Sequence, residues 1–303
     1  GVFNPYRFGL VGATDTHTGA AYPEEDNYHS KTGMLDGTPE RRGSVPAGFI
    51  NGIVARLIDS ETLVDVAGED YLEISSFEYW SASGLTGVWA EENTREAIYD
   101  AFRRKETFAT SGPRIKMRFF ASPSLTDRVM DYPDLLQRAY GSGTSMGGEL
   151  SAGDSSPLFI AWATADSFSA PLQRLQVVKG WLEAGEHREQ VFDVVCSDGL
   201  AVDPATHRCP DNGARVDLSD CSHSADVGAA ELKTAWRDPD YRPGQQAFYY
   251  LRALENPTCR WSTWDAIRAG VAPRPDLPAT IQERAWSSPI WLNAASAAEL
   301  ATR

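Results

Sequence analysis

Asp15 and His17 stand two residues apart in Thr14-Asp15-Thr16-His17, and their types and spacing point most directly to chemistry. They follow an apolar run, Phe8 to Ala13, that reads as a short buried strand of the kind found in parallel sheets. Side chains two apart on a strand leave on the same face, so a carboxylate and an imidazole would converge at the strand's carboxyl end. Parallel α/β folds place their active sites at that end, and Asp with His there makes half of a site for a divalent metal. The bland alternative is a strand end where Asp15 bonds loop amides and His17 is simply polar.

Other candidates carry less. His29 follows the acidic stretch Glu24-Glu25-Asp26-Asn27-Tyr28 and either lines a site or is a solvated loop residue. Arg114 offers a bidentate contact to a substrate anion, or is an exposed strand residue. Glu91 and Glu92 are carboxylates of the kind a general base needs, but at a helix start they serve the helix dipole. Gly143-Thr144-Ser145-Met146-Gly147 has nucleophile-elbow spacing. That motif needs a strand before it and a helix after it. Here a short helical run, Leu135 to Tyr140, precedes it and glycines follow, so a serine hydrolase is rejected.

The cysteines are Cys196, Cys209, Cys221 and Cys259. An even number in loop-rich surroundings points to two disulfides and an oxidising compartment, periplasmic or extracellular. Cys196 with Cys209 and Cys221 with Cys259 is the pairing expected, because the first pair brackets a turn. A structural zinc using His207 and His223 is the competing arrangement, and free thiols a third.

These residues need elements to position them. The chain has 303 residues, 42% hydrophobic and 23% charged, enough for two domains with their own cores. Its formal charge of -14 excludes a nucleic-acid partner, which needs a basic face, and disfavours an anionic membrane surface. A small anionic substrate is still admissible, because a bound metal inverts the local field. No apolar run approaches the roughly 20 residues of a membrane span. The chain starts at Gly1 with no leader, and reads as a portion of a longer protein.

Residues 18–48 are polar and rich in Gly, Pro, Asp and Glu, a long irregular excursion. Phe49, Ile50, Ile53, Val54, Leu57 and Ile58 recur with helical spacing, so 48–60 is an expected amphipathic helix. A second helix is expected from Asn93 as N-cap, with Glu96 closing a capping box and Arg103, Arg104 and Lys105 at its end. Ser111-Gly112-Pro113 marks a break, taken as a domain boundary. Beyond it the period alternates. Strands are expected at 114–121, 158–163, 172–182, 189–195, 231–236, 247–254 and 287–292, with a hairpin turning at 184–186. Residues 113–303 thus form a β-rich, antiparallel sandwich-like domain. The 9 Trp fit a sandwich core better than a stacking platform. Trp162, Trp181, Tyr249 and Tyr250 are the residues that a non-catalytic exported binding or scaffold module would use.

The motif Gly12-Ala13-Thr14-Asp15-Thr16-His17 resembles the last metal-ligand motif of the PHP superfamily, the polymerase and histidinol phosphatase metallophosphoesterases. The wider chain resembles the domain-of-unknown-function 3604 family. The matching strings are Gly84-Leu85-Thr86-Gly87-Val88-Trp89-Ala90-Glu91-Glu92-Asn93-Thr94-Arg95-Glu96, the stretch Lys105 to Arg114, and Gln282 to Trp291. The resemblance implies that residues 1–112 are the C-terminal part of a distorted (β/α) barrel. It implies divalent metal ions (Zn, Mn or Fe) at the strand ends, a metal-activated water and a phosphate-ester substrate. Asp15 and His17 are the ligands that match. The family's early H-x-H motif and its middle Glu and His ligands have no counterpart here and are expected before Gly1, in the missing N-terminal part of the same protein. The activity implied belongs to the intact protein, and related metal sites hydrolyse other esters or amides as well.

Overall fold

A computed structural model of the chain describes residues 6–58, 62–73 and 79–293. In chain order it begins with an irregular segment, then α1 (Gly48–Ile58), β1 (Leu63–Val66) and β2 (Glu69–Leu72). Next come β3 (Leu85–Val88), α2 (Arg95–Arg104), β4 (Thr107–Thr110) and β5 (Lys116–Ser122). They are followed by α3 (Leu135–Ser142), β6 (Thr144–Ser145), β7 (Glu149–Ser151) and β8 (Leu158–Thr164). The long hairpin β9 (Leu172–Glu183) and β10 (Glu186–Cys196) leads to β11 (Glu231–Trp236) and β12 (Ala247–Glu255). The order closes with β13 (Thr258–Cys259), α4 (Trp261–Ala269), β14 (Thr280–Ile281), β15 (Arg284–Ser287) and β16 (Ile290–Asn293).

The larger sheet runs β10-β9-β12-β15-β4-β3, with β16 joined to β12 and β7 to β16. The smaller runs β11-β8-β5-β6. Pairing is antiparallel throughout except between β16 and β7. The two sheets share one apolar core, in which Phe119 and Phe159 stack at 5.6 Å and meet Val177, Tyr249 and Leu251. Successive strand residues face opposite ways. Phe120 and Ile160 therefore leave the other side of the small sheet, where Leu135 and Ala139 of α3 cover them. Covering both faces explains why β8 reads as a nearly continuous apolar run. The hairpin turns where expected: Glu183 pairs with Glu186, and Ala184 and Gly185 take φ of 52° and 84°. Two left-handed residues are what a two-residue turn needs to match the strand twist.

Most expected strands are present within two or three residues, and 231–236 is matched at both ends. The main sheet draws β3 and β4 from before residue 112 and β7, β9, β10, β12, β15 and β16 from after it. Other expectations are corrected. The molecule is mixed α/β with few helices and several sheets, and the described residues close no barrel. Phe8 to Ala13 is not a strand, and Phe8 and Val11 are exposed. Its backbone is held by hydroxyls instead: Thr107 Oγ1 donates to Leu10 O at 2.8 Å, Thr86 Oγ1 to Gly12 O at 2.6 Å, and Leu10 N donates to Ser288 Oγ at 2.8 Å. The approach is close enough that a Cβ on Gly12 would lie 2.2 Å from Leu85 O. In α2 the cap is Thr94, not Asn93, with Ala97 N donating to its hydroxyl at 3.3 Å. α1 forms, but Phe49, Ile50 and Leu57 are exposed, so its apolar residues do not make the buried stripe expected of them. Residues 59–60 of that expected helix lie outside the described residues.

Candidate functional site

Asp15 and His17 sit on an exposed turn rather than at a strand end. Asp15 has φ 52°, in the left-handed region that costs a non-glycine residue conformational energy. Strand alternation therefore does not aim the two side chains. The turn is fixed by one backbone bond, from His17 N to Lys31 O at 2.7 Å. Lys31 is itself placed by Asp36, which is buried and accepts from Ser30 Oγ (2.6 Å), Lys31 N (2.7 Å) and Thr32 N (3.0 Å). A cleft of about 430 Å³ adjoins the turn, with Ala13, Lys31, Gly84 and Thr110 among its walls. The Lys31 ammonium, over the Trp80 ring at 5.8 Å, is a cation at this cleft.

The donors at the turn number two. Among the described residues no group of three or more His, Cys, Asp or Glu is placed to hold a metal ion. A catalytic zinc takes three protein donors. Asp15 and His17 alone therefore do not make up the donor set of a metal ion.

The remaining candidates lie elsewhere. His29 is exposed, 6.0 Å from the Tyr22 ring, and lines a separate cleft with Arg42 and Asp265. Arg114 is exposed and faces Glu24 at 3.7 Å, so an acid of the chain itself takes up its charge. Ser145 follows α3 through β6 and donates to Glu106 Oε1 at 2.9 Å, in keeping with the rejection of an elbow. All four cysteines form disulfides, Cys196–Cys209 and Cys221–Cys259, in the pairing expected. That closes the zinc alternative, because each sulfur is bonded to another. The disulfides are compatible with an oxidising compartment, and no helix of the described residues is long and apolar enough to cross a membrane.

A group of three buried carboxyls escaped sequence reasoning. Glu25, Glu255 and Glu283 meet where the acidic loop packs on α4. Glu25 accepts backbone N–H bonds from Ala82 and Trp261 and lies within hydrogen-bond reach of Glu283. Burial raises the Glu283 pKa well above the usual carboxylate range, and the negative charges of Glu25 and Glu255 raise it further. Ser111 Oγ donates to Glu283 Oε2, while Glu283 Oε1 has no protein donor. Glu25 already holds two donors, so burial and the neighbouring negative charges press Glu283 toward its protonated form. Burial likewise pushes Glu255 up to about 8. Glu25 and Glu283 each stand in a string noted above, but nothing local pairs positions so far apart in the chain.

Fold and site together define a β-rich chain, two main sheets paired almost wholly antiparallel, with a polar N-terminal segment that carries an exposed Asp-x-His turn. The family model described as protein of unknown function (DUF3604) matches residues 1–294, so the chain belongs to that family. No curated protein and no solved structure matches it.

Proposed function

We propose that this chain is part of a metal-dependent hydrolase of phosphate esters that works in the periplasm or outside the cell. Asp15 and His17 provide two of the metal donors, and donors outside the described residues complete the set. The observation that carries the reading is the Asp15-Thr16-His17 turn itself, exposed, locally strained and pinned to Lys31 beside a cleft. Its likeness to the last ligand motif of the PHP superfamily supplies the reaction class, with Zn, Mn or Fe as the ion. Backbone strain of this kind gathers at functional sites, where surrounding structure over-determines it. Lys31 adds a positive charge suited to a small anionic substrate in a chain that is otherwise acidic.

Elemental analysis of the intact protein tests this, together with Asp15→Ala and His17→Ala and a screen of phosphoester substrates. Stoichiometric metal in the wild type, lost from both variants along with hydrolysis, is the expected result. A wild type that carries no metal and hydrolyses no ester overturns it. A non-catalytic binding module has less support. Tyr249 is fully buried and bonded to Asp238 at 2.7 Å, while Lys179 covers Trp181 and Lys233 covers Trp162. Three of the four aromatic residues that such a module would present are therefore already engaged.

A further inference from the structure

A cleft of about 730 Å³ opens between the β3–α2 junction and α3 and shares no lining residue with the cleft beside Asp15. Its chemistry starts at Glu106, a buried carboxylate just before β4. Glu106 Oε1 accepts from Tyr140 Oη at 2.5 Å and from Ser145 Oγ at 2.9 Å, and Arg104 lies 3.5 Å from Oε2. Two hydrogen bonds and one ion pair offset the buried charge. They also fix Tyr140: its proton points at Glu106, which leaves its oxygen lone pairs for another donor. Burial and then Glu106 push the Tyr140 hydroxyl up to about 12, so it keeps that proton at neutral pH.

Arg118 Nη1 is the other donor, at 3.1 Å from Tyr140 Oη. The Arg118 guanidinium also lies over the Trp89 ring at 3.5 Å, and Trp89 is fixed by its own bond from Nε1 to Met117 O at 2.6 Å. Arg118 is thus held on one face by an indole and on one edge by a phenol. Among the described residues no carboxylate lies within ion-pair distance of it. An unpaired guanidinium is notable in a chain of charge -14, where arginines at other clefts, such as Arg42 and Arg114, face carboxylates. Its remaining N–H groups keep the planar fork that matches carboxylate or phosphate oxygens, and ordering it in advance removes much of the entropic cost of binding. Leu136 and Met146 supply apolar wall, and Glu91 faces the same space from the rim.

We infer that this cleft binds a small organic anion, a carboxylate or phosphate on an apolar body, with Arg118 as its receptor. Trp89 and Tyr140 position that guanidinium, and Glu106 positions Tyr140. Glu91, on the same cleft, discourages a second anionic group elsewhere on the ligand.

Titration calorimetry of the intact protein with benzoate, phenyl phosphate and inorganic phosphate tests the inference. The Trp89 indole N–H resonance serves as a local reporter that needs no variant. Saturable binding that shifts this resonance is expected. Arg118→Met should weaken it by about tenfold or more, the worth of a charged hydrogen bond. Arg118→Lys should lose most of the affinity although it keeps the charge. Asp15→Ala should leave binding unchanged, which separates this site from the proposed metal edge. Three results would each overturn the inference: no saturable binding of any probe, an unmoved Trp89 resonance, or equal affinity in a folded Arg118→Lys variant.

Discussion

The two-sheet core and the segment packed on α4 are held together by opposite means. Between the sheets the contacts are almost wholly apolar, and the prominent exception, Lys179 with Asp238 at 2.6 Å, is a buried pair closed by Tyr249 and by Asp240 O. Against α4 the apolar contact is small, a stack of Tyr28 on Trp261 at 4.7 Å with Trp80 beside it. The rest is polar. Arg42 makes two bonds of 2.7 Å to Asp265, Ser44 Oγ adds a third at 2.6 Å, and Glu25 holds the amides of Ala82 and Trp261. An apolar core spreads its energy over many contacts, so one lost methylene costs little. A buried polar anchor concentrates it, because removing one partner strands the other. The segment that carries Asp15 and His17 should therefore be the part of the molecule most easily released by a single substitution.

The sharpest way to break this contrast is Asp265→Ala, which leaves the Arg42 guanidinium buried and unpaired. A loss of about 3–5 kcal/mol is expected in urea unfolding, with faster proteolysis of residues 22–47 while amide exchange in β9 and β12 is unchanged. A loss below about 1 kcal/mol would show that the anchor is not decisive. Next comes the disulfide that ties the α4 end to its neighbouring loop. Cys221 and Cys259 are 38 residues apart, so replacing both by Ser should cost about 4 kcal/mol from chain entropy, measured by thermal unfolding. Replacing Cys196 and Cys209, 13 apart, should cost about 3 kcal/mol, and the reverse ranking would refute the entropic account.

A pH series separates the regions further. Glu255 keeps its proton in the folded protein to about 8, whereas an unfolded glutamate loses it near its ordinary value of 4.5. The folded state therefore binds more protons at Glu255 between those values, and this residue's contribution to stability is fully present below about 4.5 and is lost as pH rises toward 8. Glu283 acts in the same direction. The fall should amount to a few kcal/mol, on the order of the Glu255 shift, and Glu255→Gln should flatten it. An unchanged slope in that variant would remove Glu255 as the cause. The smallest effect belongs to the core: Ile160→Val should cost about 1 kcal/mol in the same unfolding assay, with no local release of residues 22–47.

Much of the fold was legible because strands announce themselves locally. Alternation and apolar runs located β8, β9, β11 and β12, and Ala184-Gly185 located the turn between β9 and β10. Cysteine number pointed to two disulfides, and the bracketed turn favoured one of three pairings, which the structure shows. The N-terminal stretch misled for a physical reason. Phe8 to Ala13 has the composition of a buried strand, yet its backbone groups are met by Thr86, Thr107 and Ser288, whose hydroxyls arrive from other elements. The cap of α2 moved from Asn93 to Thr94 because both residues can cap and only the path of the preceding loop selects between them. The Asp15 and His17 pair was visible as residue types, but its turn geometry was not.

Local propensity and patterning by themselves located most strands to within a few residues, and composition alone made the protein acidic. Those properties depend on neighbours within a few residues or on composition alone. Only the tertiary structure decided that Glu25 and Glu283 meet in one buried group, that Arg42 is clamped by Asp265, and that Arg118 lies over Trp89 with no carboxylate of the described residues in ion-pair range. Each depends on groups from separate elements brought within hydrogen-bond or stacking distance. Electrostatic and hydrogen-bond energies fall off over a few ångströms in space, whatever the separation along the chain.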